Sequence, residues 1–494
     1  MRTSRLNDLA DLKEGGFCLG WSHKLDRVYY NADDTHTAVI GATRSGKTRC
    51  VVLQTIGLMA LAGESIIAAD PKGELYRYTA PFLRRQGYEV ITLDFKDQKR
   101  RNRYNFLQPV LDAVYMDDLG LAVSRARDIA RMLVPDEAKS TDPIWIDGQR
   151  SAITMGILAV CLCHEDPEYQ NLSNVYDFLA RMCAPVGPKG EIALTEYLKE
   201  LPEDHPLFRA MAIAQIAPEK MRGSFYTSAL SALDLFTDKY IHDMTKITDF
   251  DHMATGDRKR AIFIILPDER KTYHPIASLF IYEQYQLLVR RADELGGRLP
   301  RRVNFVLDEF GNFVRINDLD TMVTVAGGRG IRFHFFLQDF NQMYDKYDEK
   351  LGRTILSNCE TWVYLATQNT DTRKEISERL GRYTVKTPSL SGSTGGNSSA
   401  SYSLTGRELL MPDEIGRLNR PWQLVMGRGA PAILYAPDIS KTVFNRIYGM
   451  GSKEHNRKLL IYRNREDRPE RIISVQFWPD WKKYVAAAQA AASK

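Results

Sequence analysis

Residues Gly41 to Thr48 read GATRSGKT, and the pattern G-x-x-x-x-G-K-[ST] leaves a chain few folds to choose from. Glycines at 41 and 46 carry no Cβ, so backbone N–H groups can turn inward around a triphosphate. Gly41, Ala42, Thr43, Arg44, Ser45, Gly46, Lys47 and Thr48 are therefore the candidate nucleotide-binding residues. In such a loop Lys47 reaches the β- and γ-phosphates, and the Thr48 hydroxyl takes one Mg²⁺ position. The flanks supply the context the loop requires. HTAVI (36–40) is a short β-rich run, and TRCVVLQTIGLMALAG (48–63) has the apolar density of a buried helix ending at Gly63. Strand, loop and helix in that order add the anion-binding N–H groups of a helix N-terminus.

A site of this kind needs an acid on a neighbouring strand, and RVNFVLDEFGNF (302–313) offers one. Residues 303–307 are a mostly apolar run suited to a buried parallel strand, which delivers Asp308 and Glu309 to its C-terminal edge. Asp308 would hold Mg²⁺ through water. Glu309 would orient and polarise the attacking water, the role that separates ATP hydrolysis from ATP binding. IRFHFFLQDF (331–340) reads as another strand, with Gln338 at its end beside the Asp308 strand and facing the γ-phosphate. Before it, the glycine-rich AGGRGIRF (326–333) offers Arg329. That guanidinium either neutralises transition-state charge on a neighbouring subunit's nucleotide or is an exposed loop arginine without a role.

Far more chain separates Lys47 from Asp308 than a compact α/β core places between these two parts, so something is inserted. The insertion shows as a change of period over about residues 109–250, where helical spacing replaces β-branched runs. In DLGLAVSRARDIARMLV (118–134), Leu119, Val123, Ala126, Ile129, Ala130 and Leu133 share one face, and residues 149–163 and 174–183 repeat the pattern. Strand character returns at RAIFIILPD (260–268), followed by a long amphipathic helix over 273–296. Strands alternating with helices predict a doubly wound, mainly parallel sheet carrying an all-α insertion.

Composition adds bounds rather than direction. A length of 494 residues predicts more than one domain, and +5 net charge spread over 67 basic and 62 acidic residues permits nucleic acid as a partner without arguing for it. Six cysteines, at 18, 50, 161, 163, 183 and 359, lack zinc spacing and read as reduced thiols of a cytosolic protein. The opening MRTSRLNDLADLKEGG has no apolar core, and no window reaches the ~18 apolar residues of a membrane span, the nearest, 50–63, belonging to the helix after the loop. KDQKRRNR (96–103) is either a phosphate-contacting or a solvated basic loop. The Ser/Gly-rich 386–406 reads as a flexible connection, either a mobile loop or a tether. The charged, aromatic stretch beyond Gly451 either caps the core or binds a partner, and the final AAAQAAASK is expected to fray.

Further segments give these motifs an order. DPKGELY (70–76), YNFL (104–107), LDEFGNF, GGRGIRFHFFLQDFNQM, ILSNCETWVYL (355–365) and GRELLMPDEI (406–415) follow one another along the chain. Over roughly residues 35 to 440 the sequence resembles the coupling proteins of type IV secretion and conjugation systems, the TraG/TraD-like ATPases related to FtsK and HerA motors. Phe106 stands where that family commonly has the proline of an Asn-Pro-Leu turn.

The resemblance implies a RecA-like P-loop NTPase core over 1–108 and 251–450, its first 35 residues a lead-in. It also implies an all-α domain, matching the insertion read over 109–250, and leaves residues 451–494 as a C-terminal extension. It implies ATP and Mg²⁺ as cofactors and a homo-oligomer, hexameric when active. DNA, single-stranded and bound to a relaxase, would be handed to the components of a secretion channel. Lys47, Thr48, Asp308, Glu309 and Gln338 match the family's nucleotide site. Arg329 best matches its trans-acting arginine, with Arg332 the other candidate. Family members typically begin with membrane-spanning helices, whereas here the P-loop arrives after 40 residues. The expectation is a cytoplasmic chain with no transmembrane segment of its own. It either docks at the inner face of the membrane through a separate anchor protein or acts away from the membrane. Two other readings stay open: a nucleotide-gated receptor for protein substrates that pumps no DNA, and a double-stranded DNA pump of the FtsK or HerA kind.

Overall fold

The computed structural model describes residues 1–135, 143–162, 166–186, 190–267, 269, 272–392, 398–466, 468, 470–479 and 481–493; Cys163 and residues 393–397 of the Ser/Gly-rich stretch lie outside them. Among the described residues, twelve strands share one sheet. In chain order they are β1 (Arg2–Arg5), β2 (Phe17–Trp21), β3 (Arg27–Asn31), β4 (His36–Gly41), β5 (Ser65–Ala69), β6 (Glu89–Asp94), β7 (Arg260–Ile265), β8 (Val303–Leu307), β9 (Ile331–Leu337) and β10 (Cys359–Ala366). A separate pair, β11 (Arg382–Gly392) and β12 (Ser398–Glu408), precedes the last two sheet strands, β13 (Trp422–Met426) and β14 (Ala432–Tyr435).

The sheet runs β1-β3-β2-β14-β13-β10-β4-β9-β8-β5-β7-β6. From β10 to β6 every neighbouring pair is parallel, and the five strands beyond β10 pair antiparallel. Parallel strands are buried on both faces, and the side chains alternate accordingly. Ala38, Ile40, Ile67, Phe305, Phe333 and Phe335 belong to one apolar core, while Val39, Ile66, Ala68, Val306 and Phe336 belong to a second on the opposite face. The result is the predicted doubly wound, mainly parallel sheet.

Between β6 and β7 the described residues are helix and connection apart from one isolated bridge, Pro185 with Ile192. Helix Leu119–Leu133 starts where Asp118 accepts the Leu121 N–H, and Leu172–Met182 starts where Asn171 accepts the Asn174 N–H. Ala126, Ile129, Phe178 and Leu179 join the core that underlies Ile67 and Phe305, so the helical region is continuous with one face of the sheet.

Three regions depart from expectation. The lead-in is part of the sheet: β2 and β3 form a hairpin that reaches β14 through Trp21 and Tyr435. Much of the stretch expected to be a flexible connection is strand. Residues 382–392 and 398–408 pair in an eleven-residue antiparallel register from Arg382↔Glu408 to Gly392↔Ser398. Tyr383, Val385 and Thr387 alternate along one strand and Tyr402 and Leu404 along the other, giving the pair β-propensity that its serines and glycines mask in a composition count. The basic loop is partly drawn inward, with Lys96 and Lys99 exposed. Arg101 is buried on the Tyr240 carbonyl, Arg103 pairs with Asp243 at 3.0 Å, and Arg100 pairs with Asp97 at 3.4 Å.

The C-terminal stretch caps the core. Arg463 in helix Lys453–Glu466 donates to the carbonyls of Arg77, Tyr78 and Tyr448, and Arg468 pairs with Asp94 at 2.5 Å. Residues 470–479 then run without regular secondary structure to the helical region, where the Trp478 N–H meets Asn174 and Trp481 is buried against Phe178 and Tyr197. One segment thereby ties β6 to the helices. No helix among the described residues is long and apolar enough to cross a membrane.

Candidate nucleotide-binding site

The loop begins at the C-terminal end of β4. Gly46 has φ +96°, a conformation that excludes a Cβ without strain, and Arg44 also sits at positive φ. A Cβ on Gly41 would stand 2.5 Å from Ser45 Oγ. The helix after the loop starts with a wide turn, Lys47–Val52, in which the Leu53 N–H bonds the Thr48 carbonyl, before continuing as Leu53–Leu61. Lys47 is buried, its Nζ donating to the Gly41 carbonyl at 2.5 Å and lying 3.7 Å from Glu309 Oε1.

The sheet order brings the remaining candidates to the same edge. β9 lies between β4 and β8, with Leu337 beside Ile40 and Phe335 beside Leu307. Thr48 Oγ1 therefore reaches Asp308 Oδ2 at 3.4 Å, and Gln338 Nε2 donates to Glu309 Oε2 at 3.1 Å. Glu309 turns the chain off β8 at φ +51°, ψ +41°, a strained conformation for a residue with a Cβ. That turn leaves Asp308 in the interior while the Glu309 side chain remains partly open to solvent.

Burial and the neighbouring Glu309 carboxylate push the Asp308 carboxyl up to about 6, against the pull of Lys47. Asp70, at the end of the adjacent strand β5, is pushed up to about 7 by burial and by the Asp308 charge, although the Tyr76 and Leu75 N–H groups favour its ionised form. Asp70 had no role in the sequence reading; its position after the strand SIIAA in DPKGELY was the available signal. Three carboxyl groups at one buried edge with a single buried lysine make a site short of positive charge.

A folded-state value above the ordinary 3.8 means that folded Asp308 binds its proton more tightly than the unfolded chain does. Its contribution to stability falls as pH rises from about 4 to about 6, and the penalty is complete above that window. Asp308→Asn is expected to raise the Tm of the nucleotide-free protein by a few degrees at pH 8, the gain shrinking as pH falls toward 5. Thermal melts of the two proteins across that range check it.

The residues fit a magnesium nucleotide. The anionic edge calls for a cation, and Thr48 with Asp308 presents two oxygens to one point. Ser45 Oγ is buried without a hydrogen-bond partner inside the loop.

Arg329 lies elsewhere. It sits just before β9, at the opposite end of that strand from Gln338, where its Nη2 pairs with Asp293 at 3.0 Å on the surface. Arg332 is fully buried, bonded to Glu64 and to Asn304 Oδ1, so it has no reach toward another subunit.

Residues 10–436 match the family model described as type IV secretory system conjugative DNA transfer. The chain is 27% identical over 437 residues to protein VirD4 of Rhizobium radiobacter, covering 85% of this chain and 60% of that protein. It thus spans about three fifths of the length of such curated relatives. Among solved structures it resembles the plasmid coupling protein TrwB in complex with the non-hydrolysable ATP analogue ADPNP. That match has a TM-score of 0.63 and 17% identity and covers 89% of this chain and 94% of that one. TrwB in complex with ADP and Mg²⁺ matches with a TM-score of 0.62 and 16% identity, over 91% of this chain and 96% of that one. The likeness extends well beyond the loop and includes the helical region.

Proposed function

This chain belongs to the type IV secretory system conjugative DNA transfer family, and from that premise we propose that it is a coupling-protein ATPase that delivers DNA to a type IV secretion channel. The observation that carries the reading is the meeting of Lys47, Thr48, Asp308, Glu309 and Gln338 at one sheet edge. The TrwB structures with ADPNP and with ADP and Mg²⁺ support nucleotide and magnesium as its ligands.

In this reading Lys47 exchanges the Gly41 carbonyl for the β- and γ-phosphate oxygens. Thr48 and Asp308 hold Mg²⁺, which when bound neutralises charge on the phosphates. Glu309 takes a proton from water as the water oxygen bonds the γ-phosphorus. The bond from that phosphorus to the β,γ-bridging oxygen breaks, and ADP leaves with the electron pair. Gln338, on Glu309, fixes the carboxylate and reports the loss of the γ-phosphate. Arg329 neutralises transition-state charge on the nucleotide of a neighbouring copy, which requires an assembly, in this reading a hexameric ring in the active state. The cargo is single-stranded DNA bound to a relaxase. Purified wild-type protein is expected to release phosphate from ATP, and Lys47→Ala to lower that rate at least about 100-fold; equal rates would contradict the assignment of the site.

A further inference from the structure

A second arginine touches the phosphate loop from the other side. β13 lies antiparallel to β10, and β10 beside β4, with Leu424 opposite Tyr364 and Tyr364 opposite Ile40. This register carries residue 420, just before β13, to the end of β10 where the Ala366 carbonyl accepts the Ala42 N–H at 2.7 Å. From there the Arg420 side chain crosses the loop, and its Nη2 donates to the Arg44 carbonyl. The guanidinium lies on Gly46: a Cβ there would stand 3.1 Å from Arg420 Cδ and 3.3 Å from Cζ, with Cys50 Sγ also at 3.1 Å. Arg420 is exposed, and among the described residues no carboxylate pairs with it. The nearby Asp438 is already engaged by the Arg49 fork, at 2.7 Å to each oxygen.

The direction of a bound nucleotide follows from the loop. The γ-phosphate end lies where Lys47 faces Glu309, and the α- and β-phosphates pass over the N–H groups between Gly46 and the first helical turn. Arg420 stands over Gly46 and Cys50, at the α,β end. A cationic fork held there by the sheet, with a lone neutral carbonyl as its partner, is placed to exchange that carbonyl for phosphate oxygens.

We propose that Arg420 is a nucleotide-contacting residue that grips the α- and β-phosphates of the chain's own nucleotide. The proposal rests on the reading of this edge as a nucleotide site. It also distinguishes Arg420 from Glu309, Gln338 and Arg329, all of which serve the γ-phosphate. Losing Arg420 therefore weakens diphosphate and triphosphate alike.

The test is equilibrium binding of fluorescent mant-ADP and of a mant-labelled non-hydrolysable ATP analogue, with Mg²⁺, to the full chain at fixed ionic strength. Arg420→Ala is expected to raise both dissociation constants by about 10- to 100-fold. Arg420→Lys keeps the charge without the fork and is expected to recover part of the loss. Thermal melts without nucleotide should be unchanged, because the residue is exposed. Wild-type affinity for both nucleotides in Arg420→Ala would overturn the proposal and leave the site's identity intact. Weakened binding of the triphosphate alone would also overturn it, by moving Arg420 to the γ end. Failure of wild-type protein to bind either nucleotide, with Lys47→Ala no different, would bring down the nucleotide site and the proposal together.

Discussion

Glu309→Gln is expected to bind ATP with wild-type affinity and to turn it over at least about 100-fold more slowly, the usual contribution of a positioned general base. The substitution keeps the shape of the side chain and leaves an amide oxygen to accept from Gln338 Nε2, now 3.1 Å from Oε2. What it removes is the basic oxygen. Glu309 is not needed to hold the phosphates, a task that falls to Lys47 and the loop N–H groups, so affinity should survive. The change also takes away a carboxylate that pushes the Asp308 carboxyl upward, which favours the ionised Asp308 that a magnesium ion requires. Nucleotide binding by fluorescence and phosphate release by a coupled assay separate the two effects. Unaltered release would remove Glu309 from its role.

Arg329→Ala is expected to lower kcat by about 1,000-fold, toward the low end of what a trans arginine supplies, with nucleotide affinity unchanged. The geometry makes this a statement about two subunits. Seven residues of β9 separate Arg329 and Gly330 from Gln338. At ~3.3 Å per residue that is about 20 Å, so a chain cannot bring Arg329 to its own γ-phosphate. Mixing the Arg329→Ala and Glu309→Gln proteins should therefore restore part of the activity that each lacks. At some mixed interfaces an intact Glu309 meets an intact Arg329. No recovery on mixing would argue that the arginine acts only on structure. The pairing of Arg329 with Asp293 suits a guanidinium held on the surface until a neighbour competes for it.

The parts of this molecule that were legible in its sequence are those where one local rule was decisive. The loop, the run at 303–307, and the helices over 119–133 and 172–182 stand close to where residue type and period placed them. Parallel strands buried on both faces are short continuous apolar runs, and such runs are hard to disguise. The edge strands were another matter. β2 contains Gly20, and its partners come from residues 27–31 and 435, so nothing local announces it. The β11–β12 pair is masked by serine and glycine, because its stability comes from register between strands rather than from composition. Asp70 gives little signal beyond its place at the end of the run SIIAA. Its interest arises only when β5 is set beside β8 and two buried carboxyls meet. Arg101 and Arg103 read as part of either a phosphate-contacting or a solvated basic loop, and partners far along the chain at Tyr240 and Asp243 draw them inward. Arg420 is the extreme case: a lone arginine before a proline, given meaning by two strand pairings.

Steady-state phosphate release from ATP, with and without single-stranded DNA and across a salt titration, tests the central claim most directly, with Lys47→Ala as the blank. DNA is expected to stimulate hydrolysis several-fold, and the stimulation to fade as salt rises, because phosphate contacts displace counterions. Hydrolysis indifferent to DNA at every salt concentration would contradict a DNA-delivering motor and favour a nucleotide-gated receptor for protein.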